Sequence, residues 1–264
     1  MTPALAILAA LGLCLATLYT LRGGLTGRSH IVTFAGFEAS ALLMGVLAVA
    51  AAVYFFDPMY GLALILSVMV HEFGHVAAYR VCGHSDARFR LIPLIGGVAI
   101  SNQVPASQEK DFFITLMGPG ICIAPMVLAV ALLGLDWGEE SLVADFIWTF
   151  ALVTGALNFF NLMPFWPLDG GRCISVLSQT FLPGYAHQIT LAMSALAVFL
   201  AIYSQSIALT IFALMGVQYL LRGGDISRFQ RPMGIRRGFL AAAAYLATLA
   251  TFGFVGWPLI TWFF

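Results

Sequence analysis

His71, Glu72 and His75 stand in the pattern His-Glu-x-x-His. On a helix, residues i and i+4 lie one turn apart on the same face, so both imidazoles can reach one metal ion. Glu72 is one residue further on, about 100° round the helix, where it can sit beside a metal without ligating it. The setting sharpens the reading. Gly61-Leu-Ala-Leu-Ile-Leu-Ser-Val-Met-Val70 leads into the motif and is nearly all apolar, so His71, Glu72 and His75 interrupt a stretch long enough to cross a bilayer. Ionisable groups inside a span are costly and mark function by default. The bland alternative, a chance match with the histidines satisfied by neighbouring helices, must bear that same cost. The pattern points to a zinc site.

The elements that must position this site are membrane spans. The 264 residues are 61% hydrophobic and 9% charged, with mean hydropathy +0.96, which suits an all-α polytopic membrane protein. Net charge is zero, so the basic surface that nucleic-acid binding requires is missing and the bilayer is the expected surrounding. Cys14, Cys82, Cys122 and Cys173 form no Cys-x-x-Cys pair and read as small apolar residues. The start, Met-Thr-Pro-Ala-Leu-Ala, has no basic n-region, so the first apolar run is expected to be an anchor.

About eight transmembrane helices are expected: Ala4 to Leu21, Phe37 to Phe56, Gly61 to Val81, Phe112 to Leu135, Phe146 to Met163, Gln188 to Tyr203, Ile207 to Leu221 and Phe239 to Trp257. Under that count all twelve Lys and Arg fall on one side. The opposite loops hold Asp57, Asp136, Glu139, Glu140 and Asp145 and no basic residue. The positive-inside rule then places both termini outside and the basic loops in the cytoplasm. His71 precedes Arg80 by nine residues, roughly 10–15 Å below the cytoplasmic surface. Between spans three and four, Arg88-Phe-Arg-Leu-Ile-Pro-Leu-Ile-Gly-Gly-Val-Ala-Ile-Ser101 is too short for another span and rich in β-branched residues. It reads as one or two extended segments dipping into the interface near the metal, or equally as an apolar loop packed on the bundle. No loop is large enough for a soluble domain, so residues 1–264 read as a single membrane domain with a core at about 61–178.

Catalytic zinc usually takes three protein ligands and leaves a fourth position to water. The metzincin continuation needs glycine and histidine where this chain has Ala78 and Val81. Glu109 sits in what reads as a polar loop, and His30, His84 and His187 read as solvated loop histidines. Asp169 is better placed, in Asn161-Leu-Met-Pro-Phe-Trp-Pro-Leu-Asp-Gly-Gly-Arg172. Pro164 and Pro167 break the helix, and Gly170 and Gly171 permit close backbone approach, so the carboxylate can turn back into the bundle. A Pro/Gly turn with a solvated Asp is the competing reading; Glu109 and His187 follow as candidates.

The two motifs, the second about ninety residues after the first, resemble those of the site-2 protease family of intramembrane zinc metalloproteases. The likeness runs from about Gly61 through Ser178 and includes Asn161, Pro164, Asp169 and Gly170. It implies His71, His75 and Asp169 as Zn²⁺ ligands, Glu72 as general base, and Asn161 as a substrate-positioning or oxyanion-stabilising group. It also implies that Leu94-Ile-Gly-Gly-Val98 offers a strand edge to an unwound substrate. The chain departs from the family at Gly118-Pro-Gly-Ile-Cys122, where an asparagine usually follows in place of cysteine. The implied activity is regulated intramembrane proteolysis: hydrolysis of peptide bonds within or near the spans of single-span membrane proteins, in the plasma or inner membrane, from a site toward the cytoplasm. The alternative is a zinc-binding scaffold, a pseudoprotease or a metal transporter. A pseudoprotease would usually lose Glu72 or a ligand, and a transporter would usually carry ionisable groups in several spans.

Overall fold

The computed structural model describes residues 2–25, 57–92, 96–138, 140–203 and 230–263, with residues 54, 205 and 210 singly between them. The expected spans Phe37 to Phe56 and Ile207 to Leu221 lie outside these residues except for Tyr54 and Thr210, as does His30. In order come α1 (Pro3–Leu25), α2 (Pro58–Val81), β1 (Arg88–Ile92), β2 (Gly96–Ile100), α3 (Gln108–Leu132), α4 (Leu142–Asn161), α5 (Asp169–Phe181), α6 (Ala186–Tyr203) and α7 (Ile235–Phe263). The chain is mostly helical and integral to the membrane. Six of these helices, all but α5, are long and apolar enough to cross a bilayer. The short strands pair antiparallel, Arg88 opposite Ile100 and Ile92 opposite Gly96.

Local chemistry explains where α2 begins and ends. The Asp57 carboxylate accepts from the Met59 amide at 2.9 Å, and Pro58, which has no amide hydrogen to lose, takes the first helical position. The helix therefore starts three residues before Gly61. It ends at Val81, and Gly83, just past the cap residue Cys82, has a φ of +100° that suits a residue without Cβ. There the Gly83 amide donates to Arg80 O and the His84 amide to Tyr79 O, both at 3.0 Å, and the His84 ring packs on Tyr79 with centroids 5.2 Å apart. That packing buries His84, which is 5% exposed and within 3.1 Å of the Ser101 hydroxyl. The expectation of a solvated loop histidine is corrected here.

A second boundary moves for the same kind of reason. Ser107 caps α3 through the Lys110 and Asp111 amides, so the helix begins at Gln108 and takes in three charged residues. Glu109 thus lies in a first helical turn, not a polar loop, and pairs with Arg237 at 2.9 Å.

The residues form two compact units. In the first (Met1–Val104, Met117–Asn158, Thr251–Phe263), α1 lies along α2 so closely that a Cβ on Gly24 would overlap the Ala77 carbonyl. Two polar rungs join α2 to α4. Ser67 Oγ is 2.6 Å from Thr154 Oγ1, and His71 Nδ1 is 2.7 Å from Asn158 Oδ1. Both numbers rise by four from one rung to the next, so α2 and α4 run parallel. Gly155 meets Gly256 backbone to backbone, where α4 crosses α7.

The second unit (Pro105–Leu116, Phe159–Ala250, Phe264) is organised around the turn that follows α4. Phe165 and Leu168 pack with Ala197 and Ala201 of α6. Tyr245 of α7 donates to the Leu162 carbonyl at 2.5 Å. Residues 230–233 lie beside the start of α3: the Gln108 amide donates to Arg231 O, and the Met233 amide to the Gln108 side chain.

Candidate metal centre

His71, Glu72 and His75 are all buried on α2. The Nε2 atoms of the two histidines approach to 3.1 Å, with the rings edge to face. Two nitrogens each at about 2.05 Å from a tetrahedral zinc stand about 3.3 Å apart, so the pair is already spaced for one ion. Helix α3 supports this arrangement. The His75 imidazole lies against Gly118, where a Cβ would overlap the ring, and a Cβ on Gly74 would overlap the Met117 carbonyl. Small residues at this crossing set how near the backbones can come.

Helix α4 supplies the other support. Asn158 is fully buried and its Nδ2 donates to Thr154 O at 2.9 Å, which leaves Oδ1 facing His71 Nδ1. Cys122, at the position where the family pattern has asparagine, is also fully buried. Its sulfur stands 3.7 Å from Gly118 O and 4.0 Å from Ser67 O.

In the second unit Asp169 is the first residue of α5 and half-buried. The two glycines after it meet backbone: a Cβ on Gly170 would overlap the Leu162 carbonyl, and one on Gly171 would overlap Phe165. One turn on, Arg172 pairs at 2.5 Å with Asp111, whose side chain is 1% exposed. Asn161 is the last residue of α4 and half-buried. Among the described residues, His71, His75 and Asp169 make up a group able to hold a metal ion. Two imidazoles and a carboxylate are a donor set suited to zinc. His187 is exposed in the first turn of α6 and does not join that group.

Asn158 belongs to neither sequence motif. A signal was present: Ser67 and His71, and Thr154 and Asn158, are polar pairs one turn apart on two apolar helices.

No protein-family profile matches the chain. It is 30% identical over 132 residues to a zinc metalloprotease of Methanocaldococcus jannaschii, across 49% of this chain and 37% of that one. It is 31% identical over 141 residues to stage IV sporulation protein FB of Bacillus subtilis, across 50% and 45%. The matches thus span less than half the length of these curated relatives. A solved site-2 protease from Methanocaldococcus jannaschii aligns over 70% of this chain and 88% of its own, at 21% identity and a TM-score of 0.44. With His-Glu-x-x-His and Asn-x-x-Pro-x-x-x-x-Asp-Gly in order, and zinc metalloprotease sequence relatives, the chain is similar to the site-2 protease family.

Proposed function

We propose that this chain is an intramembrane zinc metalloprotease that cleaves single-span membrane proteins within or near their spans, in regulated intramembrane proteolysis. The observation that carries the reading is the grouping of His71, His75 and Asp169, with Glu72 buried beside the histidines. Those three residues would hold Zn²⁺, which when bound supplies Lewis acidity toward the scissile carbonyl and toward water. Glu72 takes a proton from the attacking water and returns it to the leaving amine. Asn161 hydrogen-bonds the substrate backbone or the developing oxyanion. A helical substrate protects its peptide bonds by internal hydrogen bonding, so it must unwind locally, and an extended segment around β2 that dips into the interface would receive it.

The site belongs to one membrane domain of eight spans with its core at about 61–178, in the plasma or inner membrane. The parallel run of α2 and α4 supports the span count between them, since α3 alone then crosses back. The segregation of basic residues supports a site opening to the cytoplasm. Single cysteines at Ser85 and Gly138, in a cysteine-free background, test the orientation: Ser85 should react only from the cytoplasm, and external labelling there inverts it.

The deciding experiment co-expresses candidate single-span proteins with this chain or its Glu72→Gln variant. A fragment that appears only with the unaltered chain supports proteolysis. Stoichiometric zinc with no fragment from any candidate would favour the scaffold or transporter.

A further inference from the structure

We propose that Asn158 is a positioning residue that holds His71 in the tautomer protonated on Nδ1, which puts the lone pair on Nε2, the nitrogen that would meet the metal. The inference rests on the zinc-site reading above and adds a residue to it.

The tautomer follows from a chain of donors and acceptors. The Thr154 backbone carbonyl can only accept, so the Asn158 group 2.9 Å from it must be the NH₂. Flipping the amide would set two acceptors against each other. Oδ1 therefore faces His71, and an amide oxygen only accepts, so Nδ1 at 2.7 Å must carry the proton. The neutral ring then has its lone pair on Nε2, the atom that faces His75 Nε2 at 3.1 Å.

Asn158 is itself held in place. It is fully buried and one turn beyond Thr154, whose hydroxyl is 2.6 Å from Ser67. The two rungs fix the rotation of α4 against α2, so the amide cannot turn away from the imidazole without breaking contacts on both helices. A histidine ligand whose second nitrogen is pinned keeps both ring orientation and basicity. Losing such a partner typically costs about 10–100-fold in metal affinity.

The test uses the full chain in mild detergent, with zinc affinity read by chelator competition and Co²⁺ absorption read as a geometric signature. Asn158→Leu keeps the size and removes the acceptor. It should weaken zinc about 10–100-fold and shift the cobalt bands. Asn158→Asp keeps an acceptor oxygen and should recover most of that loss. Wild-type affinity with an unchanged cobalt spectrum in Asn158→Leu would overturn the inference, and so would Asn158→Asp binding as weakly as Asn158→Leu. Should either variant fail to fold, ¹⁵N-histidine spectra of the unaltered metal-free chain, assigned with His71→Gln, still decide it. A protonated Nδ1 on His71 is expected, and a bare Nδ1 is fatal to the idea. Failure of the zinc reading looks different: the unaltered chain would take up no zinc, or His71→Ala would bind it as well as wild type.

Discussion

The His75 imidazole rests directly on Gly118, so closely that a Cβ there would overlap the ring. Glycine at 118 is therefore a condition for the position of one candidate ligand. Gly118→Ala must push His75 off its place or open the α2–α3 crossing. Zinc affinity should fall by about tenfold or more, and stability by about 1–3 kcal/mol from overpacking. Gly120→Ala is the control, since the only atoms near a Cβ there belong to the flexible Met117 side chain. Equal zinc content in the two variants would show that the ring tolerates the methyl group.

His71→Ala and His75→Ala should each abolish stoichiometric zinc, because each removes one of two nitrogens 3.1 Å apart. Glu72→Gln should keep the metal and lose cleavage, since Glu72 is assigned proton transfer and not ligation. Elemental analysis of purified protein beside one cleavage assay separates the two. Zinc lost with Glu72→Gln would make Glu72 a ligand.

For Asp169 and Asn161 the same pair of measurements gives opposite outcomes. Asp169→Asn keeps the shape and removes the charge, so zinc affinity and cleavage should both drop, by at least about 10–100-fold. Asn161→Ala should retain zinc and slow turnover by roughly 10²–10³ as an oxyanion donor. Asp169→Asn with both properties intact would remove Asp169 from the ligand set.

Two ion pairs in the second unit should differ in worth. Arg172–Asp111 has one almost fully buried partner, whereas Arg237–Glu109 has side chains 73% and 25% exposed. Arg172→Ala leaves a buried carboxylate without its cation and should cost about 3 kcal/mol, against less than about 1 kcal/mol for Arg237→Ala. Denaturation of the two variants in the same detergent compares them. Equal losses would mean that water reaches Asp111.

The loop after α2 should respond to acid. The Asn102 amide donates to Asp86 at 2.6 Å and the Ser101 hydroxyl at 3.0 Å, and the backbone donor foremost holds the Asp86 carboxyl below its ordinary value of 3.8. A depressed carboxyl contributes stability above its unfolded pKa and loses it as pH falls through the lower folded value. Protection of the Asn102 amide, corrected for intrinsic exchange, should hold steady above about pH 4 and decline below it. Asp86→Asn should flatten that dependence. An unchanged acid limb in Asp86→Asn would assign it to another group.

Local features follow from residue order alone. A spacing of four on a helix puts His71 and His75 on one face whatever surrounds them, and long apolar runs commit their segments to spans because lipid leaves the backbone no other partner. Caps were half legible: Asp57-Pro58 and Gly83 carry their meaning in their own dihedrals, yet the helix starts at Pro58 and Gln108 came out three or four residues earlier than apolar character alone suggests. Tertiary structure decided what depends on pairing across the chain. Asn158 and His71 are 87 residues apart, and the polar pairs that mark each helix face do not by themselves say that the two faces meet. The same holds for His84, buried by Tyr79 and Ser101, for Gly118 under His75, and for Arg172 against Asp111. Periodicity fixes which face of a helix is apolar. It does not fix which helix lies against that face, because that choice belongs to the sum of packing over the whole bundle.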